Sequence, residues 1–257
     1  MTVNRRFESK VVLVTGGTSG LGYDGAVAFA KEGAKVVIAG RRVKEGEEAA
    51  AAIMQDGGEA LFVRADVSNE SDVQALVQTC VDNYGGHDCA YNNAGIDGTI
   101  MTSLVDYRKD VWDQVMATNL TGMFLCMKYE IPEMIKRGGG SIVNMSALGG
   151  LKAGKRVGVA YITSKHGVGG LTKTGAIEYA DRGIRVNAVC PGIIKTPLSF
   201  RTFLKDEAAL QHANSMHPIG RVGTPEEISA IVLWLCSQEA GFVTGAIIPV
   251  DGGLSIT

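Results

Sequence analysis

The segment Val11-Val12-Leu13-Val14-Thr15-Gly16-Gly17-Thr18-Ser19-Gly20-Leu21-Gly22 runs from a β-branched apolar stretch through a glycine-rich turn into a helical pattern. Four apolar residues without polar alternation suit a strand buried on both faces. The helical pattern extends from about Leu21 to Lys31 and stops at Gly33. Glycines in such a turn let backbone N–H groups approach an anion at the helix N-terminus, where orphan donors and the helix dipole favour negative charge. The spacing is G-x-x-x-G-x-G, which a purely structural turn also shows. Its place directly after a buried first strand favours a nucleotide pyrophosphate.

The same alternation recurs outward from this point. Short apolar runs at Lys35–Ala39, Ala60–Val63, Asp88–Tyr91, Ser141–Met145, Arg185–Val189 and Ile247–Val250 read as strands. Helical stretches lie between them at Glu45–Met54, Asn69–Tyr84, Asp106–Lys136 and Tyr161–Tyr179, and Thr224-Pro225-Glu226-Glu227 opens a last helix. Strands separated by helices imply parallel pairing through crossovers. The expected fold is therefore a Rossmann-like, doubly wound parallel α/β sheet of about seven strands with helices on both faces. No repeat or Pro/Ser-rich linker interrupts it, so residues 1–257 read as a single domain.

Composition narrows the function. The 34 glycines among 257 residues are about twice the usual share, but 46% hydrophobic and 20% charged residues exclude collagen and low-complexity disorder. Twenty-five basic against 27 acidic residues, without long blocks of one sign, give no footprint for nucleic acid or an anionic membrane. Five scattered cysteines without C-x-x-C read as small buried apolar residues in a reducing compartment. The polar first ten residues resemble no signal peptide, and a cytoplasmic location is expected. His166 and His217 lack partners at ligand spacing, so no metal is expected.

The second strand ends in Ala39-Gly40-Arg41-Arg42, with no carboxylate before Glu45. In a dinucleotide fold an acid here binds the ribose 2′-hydroxyl, whereas arginine accepts a 2′-phosphate. NADP(H) is accordingly favoured over NAD(H), the alternative being that both arginines are solvated charges. Asp66, ending the third strand, suits either the adenine amino group or a helix cap. Tyr161 and Lys165 share one helix face, where an ammonium favours a phenolate. Ser146 lies at the carboxyl edge of the sheet, where open α/β folds bind ligands.

In this order these elements resemble the short-chain dehydrogenase/reductase family in its short single-domain form. The resemblance spans nearly the whole chain. It rests on Thr15–Gly22, Asp66-Val67, Asn92-Asn93-Ala94-Gly95, Asn119 within Ala117–Gly122, Ser146, Tyr161-Ile162-Thr163-Ser164-Lys165, Pro191-Gly192 and Thr196. It implies an oxidoreductase moving a hydride between a nicotinamide cofactor and a secondary alcohol or ketone. Tyr161 would be its acid-base group, and Ser146 would hydrogen-bond the reacting oxygen. Lys165 would lower the tyrosine pKa and bind the nicotinamide ribose, and Asn119 would hold a water linking Lys165 to solvent. Gly16, Thr18, Ser19, Gly20, Leu21 and Gly22 would carry the pyrophosphate end. Arg41, Arg42, Asp66 and Val67 would meet the adenosine, and Asn93, Ala94 and Gly95 would lie along the cofactor. Pro191, Gly192, Ile194 and Thr196 would position the nicotinamide.

Two features depart from the family pattern. Tyr23-Asp24 puts an acid in the expected first helical turn, near the phosphate site. The interval from Ser146 to Tyr161 is longer than usual, and the excess is expected at Lys155-Arg156, where the cations could contact an acidic substrate group. Leu148, Lys155, Arg156, Leu198 and Phe203 are the expected substrate-pocket residues, with a lid over about 195–218 and a moderately hydrophobic substrate. The resemblance also implies a homotetramer built on the long central helices, one carrying Trp112, Val115, Met116 and Phe124 and the next carrying Gly167, Gly169, Gly170 and Gly175. The four glycines 167, 169, 170 and 175 in the Tyr161 helix should mark close backbone contacts. Alternative readings are an NAD(H)-preferring dehydrogenase and a non-catalytic NAD(P)-binding regulator. The presence of both Tyr161 and Lys165 weighs against the regulator.

Overall fold

The structure is a computed structural model that describes residues 5–155 and 157–257. Among them seven strands form one sheet in the order β3-β2-β1-β4-β5-β6-β7, all parallel. They are β1 (Val11–Thr15), β2 (Lys35–Gly40), β3 (Glu59–Arg64), β4 (Cys89–Asn92), β5 (Gly140–Met145), β6 (Ile184–Pro191) and β7 (Ile247–Val250). The helices are α1 (Gly20–Lys31), α2 (Val43–Gln55), α3 (Glu70–Tyr84), α4 (Lys109–Met116), α5 (Gly122–Lys136), α6 (Val159–Tyr179), α7 (Pro197–Thr202), α8 (Glu207–Met216) and α9 (Pro225–Cys236).

The period-2 alternation of strands divides the core between the two faces. Val12, Val14, Val36, Ile38 and Tyr91 pack under α1, α2 and α9, where Phe29 meets Phe7 edge-on at 4.9 Å. Leu13, Val37 and Ala39 point to the opposite face against α3, while Ala90, Ile142 and Val186 meet α5 and α6. All five cysteines are free and buried in these layers. The chain winds outward from β1 to β3, then returns past β1 to β4. That reversal opens a crevice at the carboxyl ends of β1 and β4.

Local chemistry sets the helix limits. Asn69 caps α3 by accepting from the Ser71 and Asp72 N–H groups, and Gly85 ends it at a φ of 71°. Thr224 and Glu227 form the reciprocal capping box that opens α9. The expected helix over Asp106–Lys136 is divided, because a π turn at Ala117–Thr121 separates α4 from α5. The expected lid segment folds as α7 and α8, and Thr196 and Ser199 cap α7.

The α6 glycines divide as well. A side chain at Gly167 would collide with Leu120 at 2.8 Å, and one at Gly175 with Met127 at 2.6 Å. At Gly169 the nearest atom lies at 3.8 Å, and at Gly170 nothing lies within 4 Å. Close approach within the chain therefore accounts for two of the four. No helix among the described residues is long and apolar enough to cross a membrane.

Candidate active site

A cavity of about 410 Å³ follows the carboxyl edge of the sheet from Arg41 and Asp66 at one end to Tyr161 and Leu198 at the other. At its centre is the turn between β1 and α1. Gly16 has a φ of +65°, and a Cβ there would lie 2.9 Å from Asn93 Nδ2 and 3.0 Å from Ala94 Cα. Gly22 sits beneath the turn rather than on the cavity wall, and a Cβ there would lie 2.3 Å from Gly16 O. Both glycines thus keep the end of α1 tight against the strand edge while Thr18, Ser19, Gly20 and Leu21 face the cavity. Ser19 is the N-cap of α1 and makes no side-chain cap bond, so the first N–H groups of the helix remain available to an anion. Asp24 lies beyond the first turn, which holds no acid, and it bonds to the Ser229 hydroxyl of α9 instead. The expectation of an acid beside the phosphate site is corrected on that ground.

Two guanidiniums flank the end of the cavity formed by β2 and β3. Arg42 donates to Ser19 Oγ at 3.1 Å and to Glu45 at 3.1 Å, which draws it across the glycine turn. Arg41 lies 3.7 Å from Asp66. Burial works to raise the Asp66 carboxyl, but the Ser68 hydroxyl and N–H, with Arg41 and Arg64, outweigh it and hold the group below its ordinary value. Val67 lines the wall beside it. The side chain of Asn93 donates to the carbonyls of Thr15 and Gly16, both at 3.3 Å, and so ties the end of β4 to the turn. Ala94 and Gly95 continue the wall, and Pro191, Gly192, Ile194 and Thr196 close it from the β6 side.

Ser146, Tyr161 and Lys165 converge at the opposite end. The buried Lys165 donates from Nζ to Met145 O at 2.7 Å and lies 5.7 Å from the centre of the Tyr161 ring. Ser146 Oγ donates to Lys165 O at 3.0 Å, fastening the end of β5 to α6. Asn119, in the π turn, is buried behind the cavity wall. It bonds to both backbone polar groups of Ile96 and donates to Ser164 Oγ at 3.2 Å; Ser164 in turn donates to Tyr161 O at 2.8 Å. Insertions of this π type recur at functional sites.

Electrostatics here follow burial. Burial lowers Lys165 to about 8 against the opposing charges of Asp97 and Cys190. Burial also pushes the Tyr161 phenol above its ordinary value, and the Asp97 charge adds to the effect. In the protein alone desolvation governs the phenol, and the neighbouring Lys165 does not bring it below its ordinary value.

Leu198 and Phe203 line the cavity from α7 and its C-terminal cap, as does Arg201. Leu148, which starts the short turn after Ser146, is not among the residues lining it. Lys155 is exposed and is not among the residues lining the cavity; Arg156 lies outside the described residues. Sequence reasoning missed two contributors. His217, buried, accepts the Ile193 N–H on Nε2 at 3.3 Å while Nδ1 bonds to Ala213 O at 2.7 Å, so it joins α8 to the loop after β6. Asp97 lines the same cavity as Tyr161 and Lys165. Neither position carries a spacing signal, since each acts through the folded neighbourhood alone.

Residues 16–255 match a family model described as Enoyl-(Acyl carrier protein) reductase. The chain is 39% identical over 250 residues to a cyclohexanol dehydrogenase of Acinetobacter sp. (strain SE19), covering 97% of this chain and 96% of that one. It is 40% identical over 247 residues to a 2,5-dichloro-2,5-cyclohexadiene-1,4-diol dehydrogenase of Sphingobium indicum (strain DSM 16412 / CCM 7286 / MTCC 6364 / B90A), covering 96% and 97%. The crystal structure of levodione reductase superposes with a TM-score of 0.92 at 36% identity, covering 98% of this chain and all of the other. The chain belongs to the short-chain dehydrogenase/reductase family and is an NAD(P)-dependent oxidoreductase acting on alcohol and carbonyl groups.

Proposed function

We propose that the protein interconverts a moderately hydrophobic secondary alcohol and its ketone with NADP(H), using Tyr161 as the acid-base group. The observation that carries this reading is the convergence of Ser146, Tyr161 and Lys165 on one end of a cavity whose other end holds Arg41 and Arg42. The glycine turn, the open helix N-terminus and the two guanidiniums fit a dinucleotide with an added phosphate. Relatives named for cyclohexanol, a cyclohexadiene diol and levodione support a cyclic substrate of modest polarity.

When bound, the nicotinamide supplies or accepts the hydride at the carbinol carbon. Tyr161 handles the accompanying proton. In reduction its phenol gives the proton to the carbonyl oxygen; in oxidation its phenolate takes the hydroxyl proton. The Ser146 hydroxyl rotates from the Lys165 carbonyl to donate to the same oxygen and stabilises developing negative charge there. Lys165 would hold the nicotinamide ribose and bring positive charge toward the phenolate. Asn119, through Ser164 and Ile96, keeps α6 and the end of β4 in register. Leu198 and Phe203, on the lid at about 195–218, exclude water over the reacting carbon. Exposed apolar residues on the central helices, Phe124 and Ile177, suit contacts between subunits of a homotetramer.

The test is a panel of cyclic and linear ketones and alcohols run separately with NADPH and NADH. Turnover faster with NADPH supports the reading in full. Equal or faster turnover with NADH leaves the dehydrogenase and removes the NADP(H) preference. Cofactor binding without any turnover would favour a non-catalytic regulator.

A further inference from the structure

Asp97 lines the cavity close enough to Lys165 and Tyr161 for its charge to act on both. Its backbone is fixed from either side. The preceding residue, Ile96, is held at N–H and C=O by Asn119. The following residue, Gly98, has a φ of +69°, and a Cβ there would meet Tyr107 Oη and Val115 Cγ2 at 2.6 Å each. Asp97 is thus presented to the cavity from a rigid corner.

Among the described residues the carboxylate has no protein donor of its own. Oδ2 is shut off from solvent and has no hydrogen-bond partner among the described residues. The two nearby cations are committed elsewhere or stand off. Lys165 donates to Met145 O at 2.7 Å, and Arg201 of α7 influences Asp97 without forming an ion pair within 4.0 Å. A carboxylate placed this way is costly to the fold; since Asp97 lines the cavity and only Oδ2 is shut off, its other oxygen marks a place for a ligand donor.

The surroundings select among donors. A cationic group on the ligand would enter a cavity already carrying Lys165 and Arg201, and an anionic group would face Asp97 itself. A neutral hydroxyl meets neither penalty. The reacting hydroxyl belongs to Ser146 and Tyr161, so the hydroxyl at Asp97 must be another one. We infer that Asp97 accepts a hydrogen bond from a second, non-reacting hydroxyl of the substrate, so that the protein favours diols and hydroxyketones over the matching mono-alcohols and ketones. The inference rests on the proposed alcohol–ketone reaction at Tyr161, and it adds a substrate class to it.

The test compares kcat/KM for cyclohexanol with those for 1,2- and 1,4-cyclohexanediol in the unaltered protein, Asp97→Ala and Asp97→Asn. A hydrogen bond to a charged acceptor corresponds to about a tenfold to hundredfold preference. At least one diol should therefore exceed cyclohexanol. That ratio should fall about tenfold or more in Asp97→Ala, chiefly through KM, and by less in Asp97→Asn, which keeps an acceptor oxygen. An unchanged ratio in both variants would overturn the inference. So would an equal loss on all substrates with a shifted pH–rate profile, since Asp97 would then be acting on Lys165 and Tyr161. A second readout is calorimetric titration of the same diols into the NADP⁺ complex of Tyr161→Phe, with and without Asp97→Ala. If no alcohol is turned over, Asp97-dependent diol binding still upholds the inference while the proposed reaction fails. Binding independent of Asp97 overturns it.

Discussion

Asn119 holds Ile96 by both ends of its side chain: Oδ1 accepts the Ile96 N–H at 2.8 Å, and Nδ2 donates to the Ile96 carbonyl at 2.9 Å. This pair reproduces a strand-like bond where β4 has already ended, and it spans from the π turn to the loop that carries Asp97. The same Nδ2 reaches Ser164 on the Tyr161 helix. Three elements of the reacting end therefore share one amide. Replacing Asn119 with Ala strands two backbone groups next to the buried π turn and should cost about 2–3 kcal/mol in unfolding free energy, with a fall in kcat. Asn119→Asp keeps the acceptor but loses the donor, and should fall between the two. Thermal melts and initial rates check this; a normal melt for Asn119→Ala would disprove the clamp.

The arginine pair should control cofactor choice. Arg42 crosses the glycine turn to Ser19, and Arg41 stands beside Asp66. Replacing both with alanine should raise the KM for NADPH by about tenfold to a hundredfold, as expected for lost charge-assisted bonds, with little change for NADH. Equal changes for both cofactors would mean that the guanidiniums do not meet the extra phosphate.

A pH-dependent cost is built into the core. Glu130 is fully buried; Asn92 Nδ2 donates to one of its oxygens at 2.9 Å, and the other has no partner among the described residues. Burial raises this carboxyl from 4.5 to about 7, against the opposing Asn92 bond. Below the ordinary value both folded and unfolded chains hold the proton, and stability is at its fullest. Between that value and the folded one, the unfolded chain releases the proton while the folded chain keeps it, so stability declines with rising pH. The loss approaches about 3 kcal/mol above neutral pH. Denaturant titrations from pH 5 to 8 should show this decline, and Glu130→Gln should remove most of it. An identical pH dependence in the variant would refute the assignment.

His217 should matter to cofactor affinity although it lies behind the wall. It accepts the Ile193 N–H and bonds to α8, so it couples the lid to the loop that follows β6. Replacement by Phe removes the acceptor, at a cost of about 1 kcal/mol, and should weaken cofactor binding with kcat less affected. Fluorescence titration with NADPH measures it. Unaltered affinity would show that the loop holds its position unaided.

Much of this was legible in the chain because the signals are local. The buried run Val11–Val14 announces a strand within a few residues, whereas the glycine turn and Tyr161–Lys165 gain weight from their order along the chain; the sheet and both ends of the cavity follow from that order. Thr224-Pro225 announced its helix within a few residues as well. The π turn at Ala117–Thr121 was hidden, since one extra backbone residue leaves an apolar helical pattern almost intact. Lys155 and Leu148 are not among the residues lining the cavity, and a loop's length alone does not fix the direction in which Lys155 points. Asp97 and His217 were invisible for a different reason: their significance arises from what the fold brings against them.

Tyr161 is the proton donor and acceptor of the proposed reaction. Its phenol is held above the ordinary value by burial, so alcohol oxidation, which requires the phenolate, should accelerate as pH rises, whereas ketone reduction should not. The most direct measurement follows nicotinamide absorbance during cyclohexanol oxidation by the unaltered protein and by Tyr161→Phe, across pH, with NADPH fluorescence confirming that both bind cofactor. The account predicts that Tyr161→Phe binds cofactor normally, loses about 10²–10⁴-fold in kcat and loses the alkaline rise. A variant that binds cofactor and oxidises the alcohol at the unaltered rate and pH dependence would contradict it.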